Sequence, residues 1–169
     1  MIGKRLKRNL KRIEKFSAVF NTSVLIVLAK LKYLNDVAAL FKQVEVSRAV
    51  MKELSARKDE VYSRVKELVN RDVIKLEDVE RDFPGLGRGE SSTIFVALVK
   101  GKVAVLDDRK ARRLARDLGI TVLGTLALLK RLYEVGKLKE SLEELYIKLT
   151  RLKFRSKCFG SNCVFNCFF

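Results

Sequence analysis

Residues 18–30 read Ala-Val-Phe-Asn-Thr-Ser-Val-Leu-Ile-Val-Leu-Ala-Lys, and this stretch decides the fold. Its first three residues form a short apolar run, which is typical of a buried parallel strand. Asn21-Thr22-Ser23 ends the run, and Ser23 is suited to cap a following helix. Between Val24 and Tyr33 leucine recurs at every third position, at Leu25, Leu28 and Leu31. This spacing puts the leucines on one side of a helix and predicts that the helix packs on a sheet. A strand that leads directly into a helix predicts an α/β fold.

The same alternation continues along the chain. Further strands are predicted at 43–46, 72–76, 102–106 and 120–123, and further helices at 34–41, 47–69, 90–99, 109–118, 125–135 and 137–152. Ser47 should cap the long helix 47–69. Strands and helices joined by short connections predict a central, mostly parallel sheet of about four to five strands with helices on both faces.

The charge of the chain is strongly unbalanced. Lys and Arg number 36 against 20 Asp and Glu, a formal net charge of +16 among 169 residues. A field of this sign attracts polyanions, so nucleic acid or an acidic protein is the expected partner. A thermophilic surface would explain the many charges but not their sign. The chain contains no His, which excludes Ser-His-Asp and Cys-His sites and His-ligated metals.

Both ends differ in composition from the middle, and we predict three parts: a basic arm at 1–15, a domain at 16–155 and a Cys- and Phe-rich tail at 156–169. The basic arm and the apolar run that follows resemble a signal peptide. Polar residues interrupt that run, and it is too short to span a bilayer. We therefore expect a cytoplasmic protein that does not enter the membrane.

The tail holds all three cysteines, Cys158, Cys163 and Cys167. An odd number in one segment does not form a disulfide framework, and the spacing matches no standard zinc pattern. Reduced thiols are the simplest interpretation, and a metal knuckle shared between two chains is the alternative.

Polar and acidic residues lie where the predicted strands end. Asn21 follows the first strand, and Asp107 and Asp108 follow the fourth; Glu53 and Glu90 lie early in two helices. Parallel sheets carry their sites at the carboxyl ends of strands. Clustered carboxylates raise one another's pKa unless a cation lies between them, and Mg²⁺ or Mn²⁺ prefers such oxygen ligands. This combination in a basic protein predicts metal-assisted hydrolysis of phosphodiesters.

Each of these residues also has an ordinary structural explanation. Glu90 suits the positive end of a helix dipole, Glu53 suits a solvated helix face, and the Asp107-Asp108 pair suits a helix cap. Only their joint placement favours a site. A phospho-acceptor role for Asp107-Asp108 in a receiver-like sheet is a further alternative, but no Lys is well placed at the end of a fifth strand.

Several segments of the chain together resemble PIN domains. Val19 to Lys30 resembles their opening strand and turn, most of all in an archaeal PIN-like subfamily related to toxin-type ribonucleases. Four further parts of that fold have similar segments here: the early acidic helix (50–54), the Gly-Glu-Ala-rich helix (87–90 with 94–98), the acidic turn (106–112) and its continuation (124–126). The resemblance covers residues 18–155 and implies a three-layer α/β/α fold.

The resemblance implies a metal-dependent endoribonuclease, often the toxin of a toxin–antitoxin pair. It implies Mg²⁺ or Mn²⁺ held by Glu53, Glu90 and Asp107, with Asp108 in support, and Thr22, Ser23 and Thr125 orienting carboxylates or metal-bound water. RNA, single-stranded or structured, would be bound by the basic residues Lys4, Arg5, Arg8, Arg109, Arg112, Arg113 and Arg116. We expect the four arginines of helix 109–118 to face outward. An acidic antitoxin and a homodimer are the implied partners.

Asn21 departs from the PIN pattern, which usually has Asp at this position. An amide still offers a carbonyl oxygen to a metal but brings no negative charge. The substitution predicts weaker metal binding and slower chemistry. The alternative function is therefore a catalytically inactive PIN-like module that binds RNA or a protein.

Overall fold

The computed structural model describes residues 13–154. The predictions for the basic arm, with Lys4, Arg5 and Arg8, and for the tail cysteines therefore fall outside the described residues. None of the helices within residues 13–154 has the length and apolar character needed to cross a membrane.

Strands and helices alternate along the described chain. The strands are β1 (Ser17–Phe20), β2 (Gln43–Ser47), β3 (Ile74–Glu77), β4 (Val103–Val105) and β5 (Val122–Leu123). The α-helices are α1 (Thr22–Lys30), α2 (Leu34–Ala38), α3 (Arg48–Arg57), α4 (Glu60–Asn70), α5 (Arg88–Lys100), α6 (Arg109–Asp117), α7 (Thr125–Glu134) and α8 (Leu142–Arg151). The predicted alternation of strands and helices is confirmed.

The five strands form one sheet in the order β3-β2-β1-β4-β5, and every pair is parallel. Ala18 of β1 lies opposite Val44 of β2 on one side and Val103 of β4 on the other. Helices on both faces complete the three-layer α/β/α arrangement, so the predicted fold class is confirmed. The chain forms a unit that ends at Thr125 and a second that begins at Leu126.

Alternate residues of β1 point to opposite faces of the sheet. Val19 belongs to a buried cluster with Ala104 of β4 and with apolar side chains of α5 and α6. On the other face Phe20 meets Phe41 edge-on, with ring centroids 5.6 Å apart. Since β1 is central and its last three residues are fully buried, its position determines where the loop after it emerges.

The predicted helix 47–69 is wrong in its length, because it is two helices. Lys58 adopts a left-handed conformation with φ of 52° and ends α3. Asp59 then caps α4, since its side chain accepts a hydrogen bond from Tyr62 N–H. Asp competes for backbone donors in this way more readily than it continues a helix. Ser47 caps α3 as predicted.

Two other helix boundaries also differ from the prediction. α1 begins at Thr22, and its cap is Asn21 rather than Ser23. The last helix begins at Leu142, where Ser141 and Glu144 form a capping box, rather than near 137. In the second unit, leucines 128, 129 and 132 of α7 and 145 and 149 of α8 are buried.

A buried ion pair lies on the face of the sheet covered by α5. Glu45 in the middle of β2 is only 4% exposed and is bonded to Lys102, and Lys100 lies 3.8 Å from its second carboxylate oxygen. Lys100 also pairs with Glu77 of β3 at 2.5 Å, and this contact raises the Lys100 pKa. The pair joins the strand on one side of β1 to the segment that enters β4.

We predict that Glu45→Ala lowers the free energy of unfolding by roughly 3 kcal/mol, because it leaves Lys102 without its partner in a largely buried position. Urea denaturation followed by circular dichroism measures the loss. Glu67→Ala removes an exposed carboxylate that pairs with Arg64 and Arg71, and it should cost far less. Equal losses in the two variants would contradict a stabilising role for the buried pair.

Candidate active site

The strand order reverses between β1 and β4, and the candidate site lies at this point. The connection from β1 leads to β2 on one side, whereas β4 leads to β5 on the other. Loops that leave adjacent strands in opposite directions open a crevice at the carboxyl edge of a parallel sheet. The backbone N–H of Asn21 donates to Val105 O at 3.2 Å, which joins the two loops at the base of this crevice.

Asn21 is buried, with 3% of its surface exposed, and caps α1. Its side-chain oxygen accepts a hydrogen bond from Thr22 N–H at 2.7 Å, and its amide group donates to the Ser23 hydroxyl at 3.4 Å. Both ends of the amide are therefore engaged in the local turn. A carboxylate at this position would suit the same cap but would add a negative charge beside the other acidic residues.

Glu53 joins three elements of the site. Its carboxylate accepts a hydrogen bond from the Thr22 hydroxyl in the first turn of α1 and another from Gly89 N–H at 2.8 Å. Gly89 lies in the first turn of α5, where backbone N–H groups are free to donate and the helix dipole favours an anion. The contact requires glycine, since a Cβ at residue 89 would lie 2.8 Å from both Cδ and Oε1 of Glu53.

Glu90 is half-buried one residue further along α5. Its carboxylate accepts a hydrogen bond from Gly87 N–H at 3.1 Å and so satisfies the backbone donor of the residue that precedes α5. Loss of hydration raises the pKa of Glu90, and repulsion from Asp108 and Glu53 raises it further. Two other carboxylates thus act on Glu90 electrostatically, Glu53 from α3 and Asp108 from the cap of α6.

Asp107 has a different environment. Thr125 donates to both of its carboxylate oxygens, from the backbone N–H at 2.8 Å and from the hydroxyl at 2.6 Å. Burial raises the pKa of Asp107 even though these bonds and the nearby Arg112 favour the ionised form. Asp108 is exposed and caps α6 by accepting from Ala111 N–H at 2.9 Å, as its ordinary structural explanation expects.

One prediction about α6 is wrong. Arg109, Arg113 and Arg116 are exposed, but Arg112 is half-buried beside Asp107. Loss of hydration lowers the Arg112 pKa, and the charge of Arg116 lowers it further. Leu118, which caps the carboxyl end of α6, is 38% exposed.

The side chains of the site offer only carboxylate, amide and hydroxyl oxygens, which are the types of ligand that a hard divalent cation prefers. Among residues 13–154 no three acidic side chains lie close enough to hold an ion together. Mg²⁺ in phosphate-processing sites is commonly held by one or two carboxylates with water and substrate phosphate. The mutual repulsion around Glu90 is the feature that a bound cation would relieve.

The structure thus joins Asn21, Thr22 and Glu53 by hydrogen bonds, with Glu90 next in sequence to the Gly89 that binds Glu53, and it places Asp107 with Thr125 in a second group. Ser23 contributes only through the turn at Asn21. Sequence reasoning missed Gly89 and Gly124, which let carboxylates approach the backbone closely. The glycine-rich run from 85 to 89 was the available signal for the first, and nothing local distinguishes the second.

A cavity of about 280 Å³ lies elsewhere. Its lining includes Phe16, Gly101 and Gly119, which precede β1, β4 and β5, so it belongs to the amino edge of the sheet. It is separate from the carboxylates described above.

The chain is similar to known proteins both in sequence and in structure. A family model described as a PIN domain matches residues 17–159. The chain is also similar in structure to a PilT N-terminus domain protein from the hyperthermophilic archaeon Sulfolobus solfataricus P2, with a TM-score of 0.50 and 15% identity over 74% of this chain and 96% of that one. A likeness at this identity concerns the fold alone. A search of curated proteins returns no match.

We predict that Gly89→Ala lowers the free energy of unfolding by roughly 2 kcal/mol, because the new Cβ displaces the Glu53 carboxylate and breaks a charge-assisted hydrogen bond. Gly87→Ala is the matched control, since its Cβ would meet only Glu90 Oε2 at 3.7 Å, an ordinary contact. Chemical denaturation compares the two. If Gly87→Ala costs as much as Gly89→Ala, the contact with Glu53 is not the cause.

We predict that Glu90→Gln stabilises the protein relative to wild type near neutral pH. A carboxyl whose pKa is raised on folding adds stability below its unfolded value of 4.5, and that contribution is lost as the pH rises through the folded pKa. Glutamine retains an acceptor for Gly87 N–H but never ionises. Urea denaturation of both proteins from pH 4 to 8 without divalent cations should show the difference growing with pH, and a constant difference would contradict the prediction.

Proposed function

Because the chain belongs to the PIN-domain family, which has a nuclease-type fold, we propose that it is a metal-dependent endoribonuclease of toxin–antitoxin type, weakened by Asn21. One observation carries the proposal: Glu53 and Asp108 both repel the Glu90 carboxylate at the carboxyl edge of the sheet, which is the edge where such folds bind ligands. A cation bound there would relieve this repulsion, and the net charge of +16 would attract an anionic substrate.

Mg²⁺ or Mn²⁺ would be held by one or two of the carboxylates Glu53, Glu90 and Asp107, with Asp108 in support and with water and a substrate phosphate as the remaining ligands. The bound ion would activate water and neutralise charge on a phosphate. Thr22 and Gly89 N–H hold the Glu53 carboxylate in one orientation, and Thr125 does the same for Asp107. Positioning of this kind lowers the cost of reaching the reactive geometry.

Proton transfer falls to the carboxyls with raised pKa. Glu90 and Asp107 both have a pKa above the ordinary value, so each is a better base than an exposed carboxylate. Of the two, Glu90 has one oxygen that makes no bond to Gly87, whereas both oxygens of Asp107 accept from Thr125. Glu90 is therefore the better candidate to accept a proton from the attacking water.

Single-stranded or structured RNA is the proposed substrate, and the exposed arginines 109, 113 and 116 would contact its phosphates. The same positive charge suits an acidic antitoxin protein that covers this edge. A homodimer belongs to the proposal as an expectation from the family resemblance.

A second function has its own supporting observation. The amide of Asn21 is engaged at both ends in the turn before α1 and brings no charge to the crevice. A PIN-type module that only binds RNA or a protein does not need a negative charge at this position. The two functions differ in their response to divalent cations.

We predict that wild-type protein cleaves labelled single-stranded RNA slowly in Mn²⁺, and that Asn21→Asp cleaves it faster because the added charge strengthens ion binding. Asp107→Asn should lose at least about a hundredfold in rate, since removing one charged ligand costs several kcal/mol of stabilisation. Gel electrophoresis of the products over time measures all three.

The outcomes separate the two functions. RNA cleavage by Asn21→Asp alone would mean that the fold supports catalysis and that Asn21 prevents it in the natural protein. Activity in none of the three, with RNA binding unaffected by Mn²⁺, would replace the nuclease with the binding module. Equal rates for wild type and Asp107→Asn would exclude this edge as the catalytic site.

A further inference from the structure

Arg112 is the half-buried cation of the candidate site. It lies on α6 one turn before the exposed Arg116, and its Nε is buried without a hydrogen-bond partner among residues 13–154. No ion pair joins its guanidinium to an acidic side chain in that part of the chain. Its nearest charges are those of Asp107, which attracts it, and Arg116, which repels it.

This environment is costly for a guanidinium. A charged group that loses water without gaining hydrogen bonds is destabilised, and a second cation one turn away adds to the cost. Arg109 and Arg113 avoid this cost by remaining exposed. A half-buried arginine whose guanidinium makes no ion pair within residues 13–154 suits an anion that arrives from outside, since its two terminal N–H₂ groups match the oxygens of a phosphate.

Asp107 does not fill this role. Both of its oxygens already accept hydrogen bonds from Thr125. Gly124 packs closely against both side chains, since a Cβ there would lie 3.2 Å from Asp107 Oδ1 and 3.3 Å from Arg112 Nη1. The absence of a side chain at residue 124 therefore lets the loop pass beside the carboxylate and the guanidinium.

We propose that Arg112, with Arg116 one turn away, forms a subsite for one phosphate of an RNA chain on the side of Asp107 that faces solvent. This inference rests on the proposed binding of RNA and goes beyond it by assigning the contact to a single side chain. The exposed arginines of α6 add to the general positive field, whereas Arg112 makes a directed, two-pronged bond. The subsite positions the phosphate next to the carboxylate that the nuclease would use.

The test is RNA binding in EDTA, where no metal-dependent cleavage takes place. The probe is a fluorescently labelled single-stranded oligouridylate of about twelve nucleotides, and anisotropy is measured from 50 to 200 mM salt. The proteins are wild type, Arg112→Met, Arg112→Lys and the matched control Lys110→Met, which removes the same charge from an exposed position on the same helix.

We expect Arg112→Met to weaken binding about tenfold and Lys110→Met about twofold or less, because hydrogen bonds to charged groups are worth more than field effects alone. The salt dependence of binding should fall by about one unit of slope in Arg112→Met, as for the loss of one phosphate contact. Arg112→Lys should retain the slope and lose part of the affinity, since it keeps the charge but not the fork.

Thermal unfolding separates this role from a structural one. A guanidinium without partners adds no stability, so Arg112→Met should melt at the wild-type temperature or above it; a lower midpoint with unchanged RNA affinity would overturn the proposal. Equal losses in Arg112→Met and Lys110→Met would also overturn it, as would the absence of RNA binding by wild type. If Arg112→Met fails to fold, the comparison of Arg112→Lys with wild type decides.

The result is independent of the nuclease assay. If wild type cleaves RNA and Arg112→Met binds RNA as tightly as wild type, the proposed nuclease activity stands and the proposed subsite is refuted. If wild type does not cleave RNA but Arg112→Met binds it more weakly, the subsite stands as part of a binding module.

Discussion

The parallel pairing of β1 with β2 on one side and β4 on the other is the constraint on which the candidate site depends. β1 is buried on both faces, so it cannot shift its register without exposing Val19 or Phe20 to water. With this register, Phe20 lies opposite Val105, and the loops after both strands emerge at the same height. The hydrogen bond from Asn21 N–H to Val105 O continues this pairing into the crevice.

Within that frame the start of α5 organises the acidic residues. Its unpaired backbone donors bind two carboxylates, Glu53 through Gly89 and Glu90 through Gly87. These bonds stabilise the helix end and at the same time gather negative charge at one place. Structural and functional explanations of Glu53 and Glu90 therefore do not exclude each other, since one geometry serves both.

The site contains two local clusters of like charge, which the net charge of +16 does not reveal. Glu53 and Asp108 repel Glu90 near the start of α5, and Arg116 repels Arg112 on α6. A cation would relieve the first cluster and an anion the second. A metal ion and a phosphodiester together meet both requirements, which is why a nuclease accounts for more of the structure than either kind of binding alone.

The amino-acid sequence by itself determined the alternation of strands and helices, the parallel sheet and the position of Asn21 and Asp107 just after the carboxyl ends of β1 and β4. These follow from local apolar patterns and from the rule that parallel strands end at the same side. Local patterns did not distinguish Asn21 from Ser23 as the cap of α1, nor show that Asp59 interrupts the predicted helix 47–69, because neighbouring polar side chains compete for the same backbone donors.

Only the tertiary structure decided which side chains hold the site residues. Glu53 is bonded to Gly89, 36 residues away, and Asp107 to Thr125, 18 residues away. The half-buried position of Arg112 likewise depends on the loop at Gly124, although its spacing on α6 predicted an exposed side chain. Contacts at such separations arise from how helices pack on the sheet, and periodicity within one segment carries no information about them.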